Sequence, residues 1–215
     1  MIATAVIPVL YPILDSGLLP PPGEARRSAL EALVRQLADA GVAILQYRNK
    51  QGSEAEILED TRVMRRAAGP ALKLILNDSP SLAAQADFDG VHIGQQDLSP
   101  HRARQIVGDN RIVGVSTHNE AQLRIADNEP VDYIAVGPVF ATASKENPDP
   151  VIGLEGVKLA RALTQKPLVA IGGITLATAA QVRNAGADSI AVISAIFAPG
   201  GSPAKLAKDF LDIFR

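Results

Sequence analysis

Cysteine is absent from the chain of 215 residues. Its absence excludes a disulfide framework and thiolate chemistry, and it makes the cytoplasm the default location predicted for the protein. Basic residues are not in excess either, because 21 lysines and arginines stand against 23 aspartates and glutamates, a formal net charge of −2. The chain therefore lacks the electrostatic footprint of a nucleic-acid-binding protein, and an anionic ligand would need a locally assembled basic cluster.

Long apolar runs are also missing, and none of those present reaches the length of a membrane span. The apolar segment 1–14 has no basic start and is soon interrupted by Tyr11, Pro12 and Asp15, which argues against a signal peptide. No proline-rich or serine-rich linker and no low-complexity tract divides the chain. We therefore predict a single domain over residues 1–215 with no membrane partner, and the hydrophobic content of 47% suits a sizeable core.

Short runs rich in Val, Ile and Leu alternate with longer amphipathic stretches along the whole chain. The runs predict strands over 7–14, 43–47, 72–76, 90–93, 112–115, 133–136, 168–171 and 189–193. The stretches predict helices over 24–40, 53–68, 79–86, 100–107, 120–127, 154–163, 176–185 and 203–214. Eight strands that alternate with helices are typical of an α/β protein with a single (β/α)8 TIM barrel. A doubly wound open sheet would give a similar alternation, but no G-x-G-x-x-G motif follows the first strand.

Polar residues follow the predicted strands at the end where a TIM barrel builds its active site. They are Gln46, Arg48 and Lys50 after the second strand, Asn77 and Asp78 after the third, Asp97 after the fourth, Ser116 and His118 after the fifth, Thr142, Ser144 and Lys145 after the sixth, Gly173 after the seventh, and Ser194 after the eighth. Because the strands of such a barrel are parallel, all of these residues are expected at one mouth.

Two kinds of anion site are predicted at this mouth. Asp78 and Asp97 follow adjacent strands, and Mg²⁺ is usually held by one or two carboxylates together with phosphate oxygens of a substrate. The basic residues after the second and sixth strands supply the local positive cluster. Glycines in the segment 170–175 end the seventh strand just before a helix, where backbone amides can bind a phosphate. The pattern predicts one anion on metal and basic side chains, and another on backbone amides.

Each of these residues also has a purely structural explanation when it is taken alone. Asp78 and Asp97 come shortly before a helix and are compatible with a turn or a helix cap. His118 could help to start a helix, and Arg48 and Lys50 could be ordinary solvated charges at a strand end. The functional interpretation is favoured because all of them fall at the same end of successive strands.

A set of short segments, read in order, carries a family resemblance. The segments are Q-Y-R-N-K, L-N-D, G-V-H-I-G-Q-Q-D-L, G-V-S-T-H, V-G-P-V-F-A-T-A-S-K, G-L-E-G, V-A-I-G-G-I and I-A-V-I-S-A-I-F. With them the sequence resembles thiamine-phosphate synthases over residues 10–197. The ordered set is far more specific than any one of its members.

The resemblance implies a barrel transferase that joins 4-amino-5-hydroxymethyl-2-methylpyrimidine diphosphate to 4-methyl-5-(2-phosphooxyethyl)thiazole. The products would be thiamine phosphate and pyrophosphate, and Mg²⁺ would be the required ion. The implied mechanism is dissociative, because the bond to the diphosphate breaks first and the thiazole nitrogen then captures a pyrimidine-stabilised cation. Such a reaction needs no nucleophilic side chain.

The resemblance also implies a role for each site residue. The pyrimidine diphosphate would be bound by Gln46, Arg48, Lys50, Asn77, Ser116 and Lys145, the thiazole phosphate by Thr142, Ser144, Gly173, Ile193 and Ser194, and the metal by Asp78 and Asp97. Of these, Lys145, Arg48, Lys50 and Ser116 are the candidate catalytic residues, with Lys145 as a charge stabiliser. The chain departs from the family pattern at Asn49, Gln96 and Ser144, of which only Ser144 is an expected ligand, and it keeps the hydroxyl.

Two other functions remain open at this point. The first is a thiazole tautomerase, an isomerase of the same superfamily that would use His118 for proton transfer and would not need Arg48, Lys50, Asp97 or Lys145. The second is a non-catalytic regulatory protein that binds a phosphate ligand. The presence of all the expected diphosphate and metal residues favours the transferase over both. The sequence is compatible with a homo-oligomer and does not decide the oligomeric state.

Overall fold

Eight parallel strands close into one barrel in their sequence order. This is a computed structural model, and it describes residues 7–142, 149–198 and 200–214. The first strand pairs in parallel with both the second and the eighth, which closes the sheet. The strands are β1 Leu10–Asp15, β2 Ile44–Arg48, β3 Lys73–Asn77, β4 Gly90–Ile93, β5 Ile112–Thr117, β6 Tyr133–Val136, β7 Leu168–Ile171 and β8 Ser189–Val192. The prediction of a (β/α)8 TIM barrel is confirmed.

Helices lie between the strands and after the last one, as predicted. They are α1 Glu24–Asp39, α2 Glu54–Ala68, α3 Pro80–Gln85, α4 Pro100–Val107, α5 Glu120–Asp127, α6 Gly153–Leu163, α7 Leu176–Asn184, α8 Ser194–Phe197 and α9 Pro203–Ile213. The short helix α8 and a 3₁₀ turn at Ser16–Leu18 were not predicted, because segments of three or four residues carry no helical periodicity. In the described part of the chain, no helix is both long and apolar enough to cross a membrane.

The first strand starts later than the sequence pattern predicts, at Leu10 rather than at residue 7. Pro8 has no backbone N–H and cannot donate to a sheet ladder, which favours a start beyond it. The carbonyl of Val9 accepts a hydrogen bond from the N–H of Ile190, so contact with β8 begins just before the strand. The other predicted strands differ from the observed ones by no more than two residues at either end.

Side chains from the strands fill two separate layers. Leucines and valines that point outward pack against the helices and form the larger core, which includes Leu45, Leu74 and Val113. Residues that point inward fill the barrel itself and include Tyr11, Ile75, Tyr133 and Val169. This alternation along each strand is the period of two expected for a sheet that is buried on both faces.

Three aspartates repeat one contact at the N-terminal ends of β4, β6 and β8. Each aspartate directly precedes its strand and accepts a backbone N–H from the strand before it. It also accepts a hydrogen bond from an arginine of the helix before that neighbouring strand, which is α2, α4 or α6. The ion pairs are Arg65–Asp89, Arg104–Asp132 and Arg161–Asp188. We call them the aspartate clamps. Ala43 holds the corresponding position before β2, so the repeat covers β4, β6 and β8 only.

Candidate functional site

A cleft of about 1260 Å³ opens at the C-terminal ends of the strands. A smaller pocket of about 140 Å³ adjoins it and shares Arg48, Asn77, Ser116 and Ser194 with it. Charged groups at the end of β2, just after β3 and in the β4–α4 loop line the cleft, whereas glycines and aliphatic side chains line much of the pocket. This is the end of the barrel at which TIM-barrel enzymes carry their active sites.

The predicted site residues that the structure describes all line one or both of these cavities. Lys50, Asp78 and Asp97 line the cleft, Gln46, Thr142 and Gly173 line the pocket, and Arg48, Asn77, Ser116, Ile193 and Ser194 line both. Ser144 and Lys145 lie outside the described residues, and their predicted roles stay predictions. The expectation of a common mouth therefore matches the geometry, and the role of each residue stays a prediction.

Asp78 and Asp97 lie side by side in the cleft, close enough for their carboxyl groups to interact. The N–H of Gly94 donates to Oδ2 of Asp97 at 2.7 Å, and the ammonium group of Lys50 pairs with Asp78. Partial burial raises the pKa of Asp97, and the neighbouring Asp78 carboxylate raises it further, against the lowering effects of the Gly94 N–H and of Lys50. Two carboxylates held together against their repulsion favour a bound cation.

Serines, and not these aspartates, cap the two helices that follow. Ser79 accepts a hydrogen bond from the N–H of Leu82 at the start of α3, and Ser99 accepts one from Arg102 at the start of α4. Asp78 has a φ of 68°, a left-handed conformation that aspartate adopts more readily than most residues. Its side chain faces the cleft, so the helix-cap explanation of the two carboxylates does not hold.

The donor set of the cleft fits Mg²⁺. Among the described residues, no group of three or more His, Cys, Asp and Glu side chains could hold a metal ion. Mg²⁺ does not need such a group, because it commonly keeps several waters and takes one or two carboxylates together with substrate phosphates. Asp78 and Asp97 are therefore the residues that could hold it.

Arg48 is held at the mouth by an aspartate that the sequence reasoning missed. Its guanidinium donates to Asp15, the residue opposite it in the register of β1 and β2. The next residue, Asn49, accepts hydrogen bonds with its side-chain oxygen from the N–H groups of Gln51 and Gly52, at 3.3 and 2.8 Å. This turn fixes the backbone on either side of Lys50.

A buried ion pair between Arg26 and Asp60 contacts the same turn through Tyr47. Arg26 of α1 donates through Nε to both carboxylate oxygens of Asp60 of α2, at 3.1 and 2.9 Å, and through Nη2 to the hydroxyl of Tyr47 at 2.9 Å. Tyr47 also donates to Asp60 and accepts from Asn49. The network ties α1, α2 and the end of β2 together, so that the mouth rests on a rigid base.

Two glycines let the loop after β7 lie close to the loop after β6 at the pocket wall. Gly173 has a φ of 63°, and a Cβ atom on it would lie 2.4 Å from the carbonyl oxygen of Ala141. Gly172 has a φ of 101°, and its carbonyl accepts the N–H of Phe140 at 3.0 Å. Only glycine fits this conformation and this distance, which keeps backbone rather than side chains at the pocket wall.

His118 lies at the junction of the cleft and the pocket. Its Nδ1 lies 2.7 Å from the carbonyl oxygen of Gly137, which can only accept, so Nδ1 carries a proton. Asp149 lies 3.4 Å from the same nitrogen. Asn119, and not His118, caps α5 with its side chain. His118 therefore belongs to the wall of the site.

A family model described as thiamine monophosphate synthase matches residues 10–196. The chain belongs to this family. It is 50% identical to the thiamine-phosphate synthase of Koribacter versatilis over 97% of both chains, and 41% identical to that of Chloroflexus aurantiacus over 88% of this chain and 85% of the relative. Among solved structures, the thiamine phosphate pyrophosphorylase of Pyrococcus furiosus is similar with a TM-score of 0.81, at 30% identity over 95% of this chain and 94% of that one.

Membership of the thiamine monophosphate synthase family confirms the resemblance seen in the sequence and makes the chain an enzyme of thiamine biosynthesis. The isomerase and the non-catalytic regulator are not favoured by these relatives. The cytoplasmic location and the oligomeric state stay predictions.

Sequence reasoning missed a group of buried polar residues beneath the mouth. His92, Tyr11 and Tyr133 join the predicted site residues Gln46 and Ser116 through hydrogen bonds. His92 stands within the segment G-V-H-I-G-Q-Q-D-L and directly precedes the end of β4, so its position at a strand end was the signal that could have identified it. The tyrosines carried no comparable signal, because an aromatic residue within a strand is usually a core residue.

Proposed function

We propose that this enzyme couples 4-amino-5-hydroxymethyl-2-methylpyrimidine diphosphate with 4-methyl-5-(2-phosphooxyethyl)thiazole to give thiamine phosphate and pyrophosphate. One observation carries the proposal: a cleft with paired carboxylates and basic side chains adjoins a glycine-walled pocket. A diphosphate suits a site with a metal ion and basic side chains, and a monophosphate suits a site with backbone amides. The cleft offers the first kind of group and the pocket offers the second. The names of the relatives support the same reaction.

The diphosphate belongs in the cleft in this proposal. Arg48 and Lys50 offer the positive charges, and Asn77 and Ser116 offer neutral hydrogen-bonding groups. Arg48 pairs with Asp15, and Lys50 pairs with Asp78. These ion pairs hold both basic side chains at the mouth, where a diphosphate would take over or share their carboxylate partners. Lys145, assigned to the diphosphate by resemblance, is part of the proposal.

Asp78 and Asp97 would hold Mg²⁺ in this cleft. The ion, when bound, would neutralise negative charge that develops on the departing diphosphate. The side chains of Arg48, Lys50 and Ser116 act on the same charge as fixed donors, and such donors need not reorganise while the bond breaks. No residue has to attack carbon, which agrees with a site rich in charge stabilisers.

The thiazole phosphate belongs in the pocket. Thr142 and Ser194 supply hydroxyl groups, Gly173 and Ile193 supply backbone, and Ser144 is added by resemblance. Anchoring this phosphate would orient the thiazole nitrogen toward the pyrimidine carbon, so that the cation is captured by nitrogen rather than by water. The enzyme thus supplies position and electrostatics for a dissociative reaction.

Incubation of the full chain with both substrates and Mg²⁺, followed by chromatography for thiamine phosphate, tests the proposed function. We expect product only when both substrates and the metal are present, with one pyrophosphate released for each thiamine phosphate. Isomerisation of a thiazole phosphate without any coupling would instead identify the tautomerase, and would contradict the proposal.

A further inference from the structure

Five side chains form a continuous line of hydrogen bonds through the barrel interior. Gln46 donates through Nε2 to the Tyr11 hydroxyl at 3.1 Å, the hydroxyls of Tyr11 and Tyr133 lie 2.9 Å apart, and the Tyr133 hydroxyl lies 2.8 Å from Nδ1 of His92. Nε2 of His92 lies 2.8 Å from Oγ of Ser116. The line crosses from β2 through β1, β6 and β4 to β5, and we call it the interior relay.

The two tyrosines of the interior relay differ from its other members. Gln46, His92 and Ser116 line the pocket, and His92 and Ser116 also line the cleft. Tyr11 and Tyr133 line neither of these cavities and are 1% and 0% exposed. A change at either tyrosine would therefore reach a substrate only through its neighbours in the relay.

Hydrogen-bond chemistry gives the relay a single direction. Because the Tyr11 oxygen accepts from Gln46, its own proton needs an acceptor, and Tyr133 is the neighbour that offers one. Tyr133 then donates to Nδ1 of His92, so the proton of the neutral imidazole lies on Nε2 and points at Ser116. With its oxygen accepting from His92, Ser116 can direct its own O–H into the site.

Tyr133 is held in the position that this order requires. Its ring stacks on His92 with centroids 5.6 Å apart and meets the Tyr11 ring edge-on at 5.8 Å. Gly114, the residue opposite Tyr133 in the register of β5 and β6, leaves room for the ring, because a Cβ atom there would lie 2.0 Å from Cζ. Burial raises the pKa of the Tyr133 hydroxyl well above its usual value, so the group keeps its one proton.

We propose that Tyr133 is a positioning residue that fixes the Nε2–H tautomer of His92 and thereby turns the hydroxyl of Ser116 toward the bound substrate as a donor. This inference rests on the proposed function. In that function the Ser116 hydroxyl donates a hydrogen bond to the diphosphate, whose oxygens act as acceptors.

Nitrogen NMR of the imidazole rings in the substrate-free protein tests the tautomer directly. The chain has three histidines, and a His92→Gln variant identifies the signals of His92. We expect Nδ1 of His92 to be unprotonated and Nε2 to be protonated in the wild type. Tyr133→Phe should abolish this preference, because Nδ1 loses its donor, whereas the matched change Tyr11→Phe should leave it intact. A proton on Nδ1 in the wild type, or an unchanged tautomer in Tyr133→Phe, would overturn the proposal.

Kinetics separate positioning from general loss of structure. Removal of a preorganised donor costs about 10²-fold, so misdirecting the Ser116 hydroxyl should lower kcat by less, about 10-fold, with KM for the pyrimidine diphosphate changed by no more than about 3-fold. In a Ser116→Ala background, Tyr133→Phe should lower kcat by no more than about 2-fold further, because the group it directs is gone. Equal losses with and without Ser116 would overturn the proposal. If the wild type makes no thiamine phosphate, the proposed function fails while the tautomer measurement still decides the role of Tyr133.

Discussion

At the scale of single residues, Asp78 and Asp97 form a pair of interacting carboxylates at the mouth. Their carboxyl groups interact, and burial together with this proximity raises the pKa of Asp97. A folded-state pKa above the unfolded value means that ionised Asp97 opposes folding, and this opposition grows as the pH rises through the folded pKa. A neutral asparagine at this position should therefore not destabilise the fold.

For the substitutions Asp78→Asn and Asp97→Asn, we expect losses of about 10²-fold in kcat/KM each, comparable with the removal of one preorganised group. If both residues serve one ion, the double variant should lose much less than the product of the two single losses. Steady-state kinetics at several Mg²⁺ concentrations measures this. Asp109→Asn makes the same chemical change on an exposed residue just before β5, at the opposite end of the barrel, and should leave activity unchanged.

Multiplicative losses at Asp78 and Asp97 would show that the two carboxylates act independently and do not share a metal. Thermal unfolding of each variant is the accompanying control. We expect a melting temperature for Asp97→Asn equal to or above that of the wild type, since the substitution removes a repulsive charge. A clearly lower value would contradict the electrostatic interpretation of this pair.

At the scale of the elements, the aspartate clamps join α2, α4 and α6 each to the next two strands along the chain. Asp89 is the example with the most contacts: it accepts from the N–H of Leu74 at 2.9 Å, from Arg65 at 2.8 Å and from Lys73 at 3.1 Å. Burial alone would raise the pKa of Asp89, but the Leu74 N–H and the two basic side chains outweigh it and lower the pKa. The ionised form therefore stabilises the fold.

The sign of this shift gives a pH dependence. The contribution of Asp89 is fully present above the unfolded pKa of about 3.9, and it is lost as the pH falls through the lower folded pKa. We expect Asp89→Asn to lower the free energy of unfolding at pH 7 by about 1.5–3 kcal/mol, the range for hydrogen bonds to a charged group. The variant should also lose less of its unfolding free energy than the wild type when the pH falls. Denaturant unfolding at pH 7 and near pH 3 measures both, with Asp109→Asn as the control. An unchanged free energy of unfolding at pH 7 would show that the clamp does not stabilise the barrel.

The pairing of β5 with β6 depends on the absence of a side chain at Gly114. An alanine there would place its Cβ within 2.0 Å of the Tyr133 ring, so the strands or the ring must move. We expect Gly114→Ala to destabilise the protein by about 1–3 kcal/mol, as overpacking of a core does. In a Tyr133→Leu background the same change should cost less, and a double-mutant cycle of unfolding free energies measures the difference. Strict additivity would mean that the ring and the glycine do not interact.

For the whole molecule, metal and substrate should bind as linked ligands. Two carboxylates alone hold Mg²⁺ weakly, and the phosphate oxygens of a bound diphosphate complete its coordination. By linkage, each ligand should raise the affinity for the other by the same factor. The mouth is assembled from most of the strands, so this coupling should also stabilise the barrel as a unit.

We expect Mg²⁺ alone to change the melting temperature little, and Mg²⁺ with inorganic pyrophosphate to raise it clearly. Saturation at about 100 times the dissociation constant stabilises a folded protein by about 2.7 kcal/mol. Calorimetric titration of pyrophosphate with and without Mg²⁺ measures the coupling factor, and Asp78→Asn should reduce it. Equal affinity for pyrophosphate in the presence of a chelator would contradict a shared metal site.

The sequence by itself determined the barrel and most of its mouth. Alternation of apolar runs with amphipathic stretches is a local property, and eight repeats of it leave few folds open. Because the strands are parallel, residues after their ends, such as Arg48, Asp78 and Ser116, must gather at one edge. The family segments then predicted roles for them, and the geometry accommodates these roles.

Only the tertiary structure decided which side chains contact each other across strands. The pairing of Arg48 with Asp15, the carboxyl contact of Asp78 with Asp97 and the relay through Tyr133 join residues that are 19 to 122 positions apart in the sequence. Periodicity shows that a tyrosine in a strand is buried, but its hydroxyl finds a partner only when the barrel closes and the inward side chains of different strands meet. The order of donors and acceptors along the interior relay exists only in the closed barrel, because it depends on contacts between side chains of five different strands.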